Sequence, residues 1–146
     1  MSIVAALFLT TLTLAEPDLC PLVAELNAVI ALQTTYTPPP CPTIGFAALP
    51  ASGAMRSQAG AYFPGTGAIE LAPDLDLTDP FGQSYLLHEL VHAAQYAAGA
   101  DRRARCPGQL EAEAYAVQAN FLRDRGLPRE ALMMTLLAGQ LGGCAD

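Results

Sequence analysis

The chain has 146 residues, and 52% of them are hydrophobic, so it can bury one core but is too short for a second module. Its formal net charge is −7, and it contains no lysine. An acidic surface of this kind repels phosphate backbones, which excludes nucleic acid as an expected partner.

The amino-terminal segment, residues 1–15, has the pattern of a signal peptide. It carries no charged side chain, and its apolar run is followed by a threonine-rich stretch that ends at Ala15. Lys or Arg is missing before the apolar run, so a buried helix or an uncleaved anchor is the alternative. The run is also short for a bilayer span. We expect cleavage after Ala15, a mature domain at residues 16–146 without a stable membrane span, and a secreted or periplasmic location.

The next segments predict a helix followed by a small sheet. Residues 21–33 carry apolar side chains at helical spacing, and a proline-rich segment, residues 37–42, ends this helix because proline removes amide donors. Three short apolar stretches are predicted strands, at residues 43–47, 59–63 and 68–72. A hairpin turn is predicted at residues 64–67. Combined with the helices that follow, this pattern predicts an α+β fold with a small antiparallel or mixed sheet.

An acidic run at residues 73–79 precedes the longest predicted helix. The run lacks the twelve-residue pattern of a calcium loop, so we expect its acidic residues to form turns and to cap the helix that follows. Asp79 and Pro80 predict the N-cap and the first helical residue, and Gly99 predicts the end of the helix. Apolar side chains between these limits recur at helical spacing, which predicts a packed helix of about five turns.

The only two histidines, His88 and His92, lie in the middle of this helix in a His-Glu-x-x-His motif. Four residues are about one helical turn, so both imidazoles leave the same face and can hold one Zn²⁺. Glu89 is displaced around the helix but is near enough to reach a water on the metal, as in zinc hydrolases. The alternative is a chance pair of hydrogen-bonded or surface histidines. The central position of the motif in a well-delimited helix favours the metal.

A catalytic zinc needs a third protein ligand and an open position, and no third histidine is available. Residues 109–122 predict a second helix, with Glu111 and Glu113 near its start. These two residues are about 200° apart around the helix, so at most one of them can face the metal. Both are also acids near the start of a helix, where the helix dipole favours them. The residues alone leave this choice open. A last helix is predicted at residues 128–141.

At this point the motifs resemble the gluzincin-type zinc metallopeptidases, in which a glutamate on a following helix completes the His-Glu-x-x-His pair. Many of them carry Glu-x-x-Ala-Asp on the second helix, and residues 111–115 match its glutamate and alanine. The resemblance implies that Glu111 is the third ligand. Tyr115 stands where those families usually place aspartate as the hydrogen-bond partner of a zinc histidine.

The chain is also similar to small secreted predicted metallopeptidases with a Leu-His-Glu-Leu-Val-His core and a later Glu-Ala-Tyr-x-x-Gln stretch, over roughly residues 61 to 122. This likeness implies a minimal zincin-like domain, with a small sheet packed on the His-Glu-x-x-His helix and the glutamate-bearing helix. In zincins the strand before the zinc helix commonly pairs with an extended peptide. By this resemblance, residues 67–71 are expected to receive the substrate.

All four cysteines follow the predicted cleavage site, and none forms the Cys-x-x-Cys pair of a zinc knuckle. In an exported protein two disulfides are expected, and the sequence allows three pairings. We predict Cys20 with Cys41, from the start of the mature chain to the segment after the first helix. We predict Cys106 with Cys144, from the loop before Glu111 to the tail. Four free buried thiols are the alternative.

Together these features predict a small exported zinc metallopeptidase with a peptide or protein substrate. Zn²⁺ lowers the pKa of a bound water from about 15.7 towards 7, and Glu89 would accept the proton and deliver it to the leaving amine. The alternatives are a non-catalytic zinc-binding or structural domain and metal-assisted hydrolysis of a non-peptide amide. The group that stabilises the oxyanion is left open among Tyr62, Tyr96, Tyr115 and an arginine of the basic loop at residues 102–105.

Overall fold

The computed structural model describes residues 17–50 and 58–144. The predicted signal peptide at residues 1–15 lies outside the described residues. Four helices and three strands make up the described part, and the predicted α+β class is confirmed. In chain order they are α1 (Cys20–Gln33), β1 (Ile44–Phe46), β2 (Gly60–Phe63), β3 (Ala68–Leu71), α2 (Pro80–Ala97), α3 (Pro107–Asp124) and α4 (Pro128–Leu141).

Each of the four helices has a proline in its first two positions. Proline suits this place because its fixed φ is already helical and its missing N–H would have no partner in the first turn. At the other end of α2, Gly99 has a φ of +67°, the left-handed conformation that ends a helix and that glycine adopts without steric cost. The predicted limits of this helix are therefore confirmed to within two residues.

The sheet is mixed, with the strand order β1-β3-β2. β1 runs parallel to β3, whereas β2 and β3 form an antiparallel hairpin. Because β3 is the central strand, its backbone groups are already paired on both sides. The prediction that a substrate strand adds to residues 67–71 is therefore wrong, since within the described residues the free edges of the sheet belong to β1 and β2.

The core forms around α2, whose apolar side chains are buried on nearly every side. α1 and α3 pack on this helix, and β2 and β3 cover another part of its surface, while α4 packs against α3. The fully buried side chains of α2 are Leu86, Leu87, Leu90 and Val91. Each such burial contributes roughly 1.5 to 3 kcal/mol, so the helix that carries both histidines is held rigidly.

Both predicted disulfides are present. The bond between Cys20 and Cys41 joins the first residue of α1 to the proline-rich segment, with 5.5 Å between the Cα atoms. The bond between Cys106 and Cys144 joins the start of α3 to the segment after α4, with 5.7 Å between the Cα atoms. Disulfides persist in oxidising compartments, so two of them are consistent with a protein located outside the cytoplasm.

Within the described ranges, none of the helices combines the length and the apolar character that a bilayer crossing requires.

Candidate metal centre

Three side chains from two helices converge on one point. His88 and His92 lie one turn apart on α2, and Glu111 faces them from the second turn of α3. The two Nε2 atoms are 3.1 Å apart. Glu111 Oε2 is 3.2 Å from Nε2 of His88, and Glu111 Oε1 is 3.3 Å from Nε2 of His92. Both histidines are buried, while the glutamate side chain keeps 40% of its surface exposed, so the group is open on the side of Glu111.

The spacing of these atoms fits a zinc ion. Ligands bound tetrahedrally at about 2.0 to 2.2 Å from Zn²⁺ lie roughly 3.3 to 3.6 Å from one another, close to the separations observed here. Two imidazole nitrogens and a carboxylate oxygen are also ligands that zinc prefers. No fourth His, Cys, Asp or Glu in the described part of the chain joins the group. The donor set therefore fits a zinc site with a vacant position rather than a closed structural site.

A chain of hydrogen bonds orients the His88 ring through Nδ1, the nitrogen that faces away from Glu111. Its Nδ1 lies 3.1 Å from Oε1 of Gln118, whose Nε2 donates to the Ser84 hydroxyl at 2.9 Å. Ser84 in turn donates to the carbonyl of Phe81 at 2.7 Å. Because the serine hydrogen is already used, Ser84 accepts from the glutamine, and the amide oxygen of Gln118 must face the ring. The neutral His88 ring therefore carries its hydrogen on Nδ1.

A second chain orients His92 in the same way. Its Nδ1 lies 2.9 Å from Oε1 of Gln95. The Nε2 of Gln95 donates to the carbonyl of Leu110 at 3.0 Å and to Oε2 of Glu113 at 2.9 Å. Tyr36 donates its hydroxyl to the same Glu113 oxygen at 2.7 Å, and burial together with this bond raises its pKa to about 12. Two acceptors hold the amide nitrogen of Gln95, so its oxygen faces the ring.

Both rings therefore present the Nε2 lone pair to the shared point when they are neutral. Two lone pairs and a carboxylate repel one another, so protons or a cation must offset the negative potential there. In the metal-free chain, burial lowers the pKa of His92, but the hydrogen bond to Glu111 and the charges of Glu89 and Glu111 outweigh burial and raise it. Burial raises the pKa of Glu111, yet its bonds to the two histidines dominate and hold it well below its usual range. Protons therefore compete with a metal ion for these three groups.

Glu89 lies beside the histidines, between α2 and the edge strand β2. A Cβ on Gly60 would lie 2.8 Å from Cγ of Glu89, so only glycine lets the strand approach this closely. The backbone N–H of Tyr62 donates a hydrogen bond to the Glu89 carboxylate. Burial raises the pKa of Glu89, and this effect outweighs the opposing charges of His88 and His92. A buried carboxylate of raised pKa is a better proton acceptor than an exposed one.

Tyr115 lies on the same face of α3 as Glu111, one turn later. Its ring packs edge-to-face on the His88 ring, with 4.4 Å between the ring centroids. Burial, followed by the charges of Glu111 and Glu89, raises the pKa of Tyr115 to about 12, so its hydroxyl stays protonated. Tyr115 stands at the aspartate position of the gluzincin pattern but makes no hydrogen bond to His88. Gln118 makes that bond instead.

The structure brings together all four residues predicted for the site and separates the two candidate glutamates. Glu111 joins the histidines, while Glu113 points to the other side of α3 and accepts the bonds from Tyr36 and Gln95. In the basic loop, Arg103 donates to the carbonyl of Ala98 at the end of α2, which is a helix-capping role.

From the sequence, the two glutamines that hold the histidines were interpreted as polar groups of the structure or of the surroundings of the metal, with no catalytic role. A signal for them exists, since Gln95 follows His92 by three residues and Gln118 follows Glu111 by seven, both helical repeats of one face. Tyr36 and Ser84 had no comparable signal. Tyr36 reaches the site only because the chain folds back over 77 residues to meet Glu113.

A family model described as a domain of unknown function, DUF6647, matches residues 20–140. The match runs from the first residue of α1 into α4 and includes the two histidines and the three glutamates around them. No curated protein and no solved structure matches the chain. Since the match covers most of its length, the chain belongs to the DUF6647 family.

Proposed function

We propose that the protein is a zinc-dependent peptidase of the gluzincin type, with His88, His92 and Glu111 as metal ligands and Glu89 as general base. The observation that carries the proposal is the convergence of the three donors at separations of 3.1 to 3.3 Å, with both Nε2 atoms and the carboxylate oxygens facing one point. A structural zinc site has four protein ligands, whereas the group here has three and an exposed side.

Zn²⁺ bound by these ligands would supply an activated water and would polarise the carbonyl of the scissile bond. Glu89 accepts the proton of that water and then passes it to the leaving amine. The N–H of Tyr62 holds the carboxylate in place through its hydrogen bond, and burial keeps bulk water away from it. Gln95 and Gln118 fix both rings so that each Nε2 faces the ion.

The free edge of β2 is the proposed position for an extended substrate. Ala59 and Phe63 accept hydrogen bonds on the side of the β2–β3 hairpin, so Gly60 and Tyr62 direct their backbone groups to the other side. There the Tyr62 N–H is taken by Glu89, and the Gly60 groups and the Tyr62 carbonyl remain for a substrate strand. This free edge runs beside Glu89 and α2. A peptide that adds to β2 as a strand would therefore bring one of its bonds to the general base.

We propose Tyr115 as the group that stabilises the oxyanion. Its hydroxyl makes no hydrogen bond to another described residue, stays protonated, and lies near both Glu111 and Glu89. Three of the other candidates have contacts of their own, because Tyr62 and Tyr96 pack against each other, with 5.7 Å between their ring centroids, and Arg103 caps α2.

Tyr115→Phe is expected to lower kcat by about 10²- to 10³-fold, the usual loss for one oxyanion donor. Zinc affinity and KM should change little, because the ring and its packing on His88 are kept. Steady-state kinetics and a zinc titration measure both effects. Tyr85→Phe is the matched control, since this phenol packs on Phe81 with 5.2 Å between centroids. A loss in the Tyr85 variant alone would assign the donor role to Tyr85 instead.

Zinc titration of the metal-free full chain, combined with a peptide-library assay, tests the proposed function. One ion per chain should bind, and at about 100 times Kd it should raise the free energy of unfolding by about 2.7 kcal/mol. Mg²⁺ and Ca²⁺ should give no such shift, because they prefer oxygen ligands. Peptide cleavage should appear only with zinc. Stoichiometric zinc without cleavage would favour the non-catalytic binding domain, and cleavage of small amides alone would favour the non-peptide amidase.

The proposed location is secreted or periplasmic, after removal of residues 1–15. The two disulfides support it, because they would be reduced in most cytosols.

A further inference from the structure

A cleft lies next to the half of α2 that follows His92. Its volume is about 390 Å³, which is within the range of about 300 to 1,000 Å³ that is usual for ligand sites. It lies between the proline-rich segment, the β2–β3 hairpin and the second half of α2. Most of its walls are rings, contributed by Pro39, Pro40, Pro42, Pro64, Tyr62 and Tyr96.

The cleft shares Tyr62 with the proposed substrate path. Tyr62 contributes its side chain to the cleft and its backbone N–H to Glu89. On α2, Ala93 follows His92 directly, and Tyr96 follows it by one turn. Gly60 and Tyr62 are two residues apart on β2, which is about 7 Å along a strand. A side chain in the cleft would thus belong to a residue close to the cleaved bond.

The chemistry of the walls favours an aromatic occupant. The Tyr62 and Tyr96 rings are tilted by 50° at 5.7 Å, a geometry that a third ring can extend by edge-to-face contact. Proline rings and alanine methyl groups supply the remaining apolar surface. The two charged residues of the wall, Asp101 and Arg102, have opposite signs, so the cleft offers no net charge to attract a charged side chain.

Among the described residues, Asp101 and Arg102 form no ion pair with each other or with any other side chain. The guanidinium of Arg102 lies against Gly99, where a Cβ would be 2.5 Å from its Nη2. An arginine held in this position can stack on an aromatic ring that enters the cleft.

We infer that this cleft is a specificity subsite that takes an aromatic side chain of the substrate, at a position within about three residues of the cleaved bond. The inference rests on the proposed peptidase function and names its substrate class. Peptides with Phe, Tyr or Trp at that position are cleaved about tenfold or more faster, in kcat/KM, than those with Ala, a discrimination typical of a hydrophobic pocket.

Ala97→Phe tests the subsite, because Ala97 lies in the wall of the cleft and is exposed, so a larger side chain fills the cleft without disturbing the core. Ala98→Phe is the matched control, since Ala98 is the next residue, is equally exposed and is not part of the lining. A position-scanning peptide library is cleaved by the zinc-loaded full chain and by both variants. The expected result is an aromatic preference in the wild type and in the Ala98 variant that is lost in the Ala97 variant.

Cleavage without an aromatic preference, or a preference that survives in Ala97→Phe, overturns the subsite and leaves the peptidase proposal intact. A binding measurement covers the case in which no peptide is cleaved. N-acetyl-phenylalanine amide and N-acetyl-alanine amide are titrated into each protein and followed by NMR. Binding of the phenyl compound alone, abolished by Ala97→Phe and kept by Ala98→Phe, supports the aromatic site even if the peptidase proposal fails. Equal responses in the two variants overturn it.

Discussion

Glu89→Gln is expected to lower kcat for peptide cleavage by about 10²- to 10⁴-fold, the range that a general base contributes, while zinc binding stays at one ion per chain. Glutamine has nearly the shape of glutamate, and its amide oxygen can still accept the bond from the Tyr62 N–H. It cannot accept a proton at neutral pH. The substitution therefore removes the proposed chemistry and keeps the geometry.

The fold should tolerate this change. Burial raises the pKa of Glu89, which means that its charged form is disfavoured in the folded chain. Stability contributed by such a carboxyl is present at low pH and is lost as pH rises from the unfolded pKa through the raised folded pKa. At neutral pH a neutral glutamine removes this cost, so the melting temperature of the metal-free variant should be equal to or above that of the wild type.

Glu130→Gln is a matched control for this experiment, because it makes the same chemical change in the first turn of α4, outside the site. It should keep full activity. If Glu89→Gln cleaves peptides as fast as the wild type, Glu89 is not the general base. If the wild type binds zinc and neither protein cleaves any peptide or amide, the non-catalytic domain becomes the better description.

Glu111→Ala is expected to weaken zinc binding by more than about 100-fold, whereas Glu113→Ala should weaken it by about 10- to 100-fold. The first variant removes one of the three donors. The second removes only the carboxylate behind Gln95, which orients His92 through a hydrogen bond. Competition with a chromophoric chelator measures both affinities.

Glu113→Ala should also lower the folding stability of the metal-free chain. Glu113→Ala leaves the Tyr36 hydroxyl without its acceptor and removes one of two acceptors from Gln95. Because Tyr36 is only half-buried, its hydroxyl can turn to water, and the lost hydrogen bond costs about 1 kcal/mol, which a denaturant titration of the metal-free chain detects. Equal losses of zinc affinity in Glu111→Ala and Glu113→Ala would contradict the assignment of Glu111 as a ligand and of Glu113 as a residue that acts on His92 through Gln95.

The elements themselves were largely predictable from the sequence. Prolines at helix starts, apolar spacing and glycines at helix ends are local signals, and they predicted the four helices and the three strands. The pair His88 and His92 is also local, because four residues on one helix always share a face. The pairing of the cysteines was predicted correctly from their places relative to the helices.

The strand order was not predictable in this way. β3 precedes α2, as expected, but β1 pairs with β3 in parallel and makes it the central strand. Local patterns give no information on which strands become neighbours, because pairing is decided by contacts between distant parts of the chain. The free edge beside Glu89 therefore belongs to β2. The close approach of Gly60 to Glu89 depends on how β2 packs on α2, so the sequence alone did not predict it.

By itself the sequence determined the helices, the two-histidine face and the presence of two acids on the following helix, since each depends on the fixed geometry of a single element. Only the tertiary structure decided which of Glu111 and Glu113 faces the histidines, because a rotation of about 100° per residue makes the outcome depend on how α3 packs on α2. It also decided which groups hold the histidines, since Gln118 and Tyr36 come near the site through contacts between separate elements.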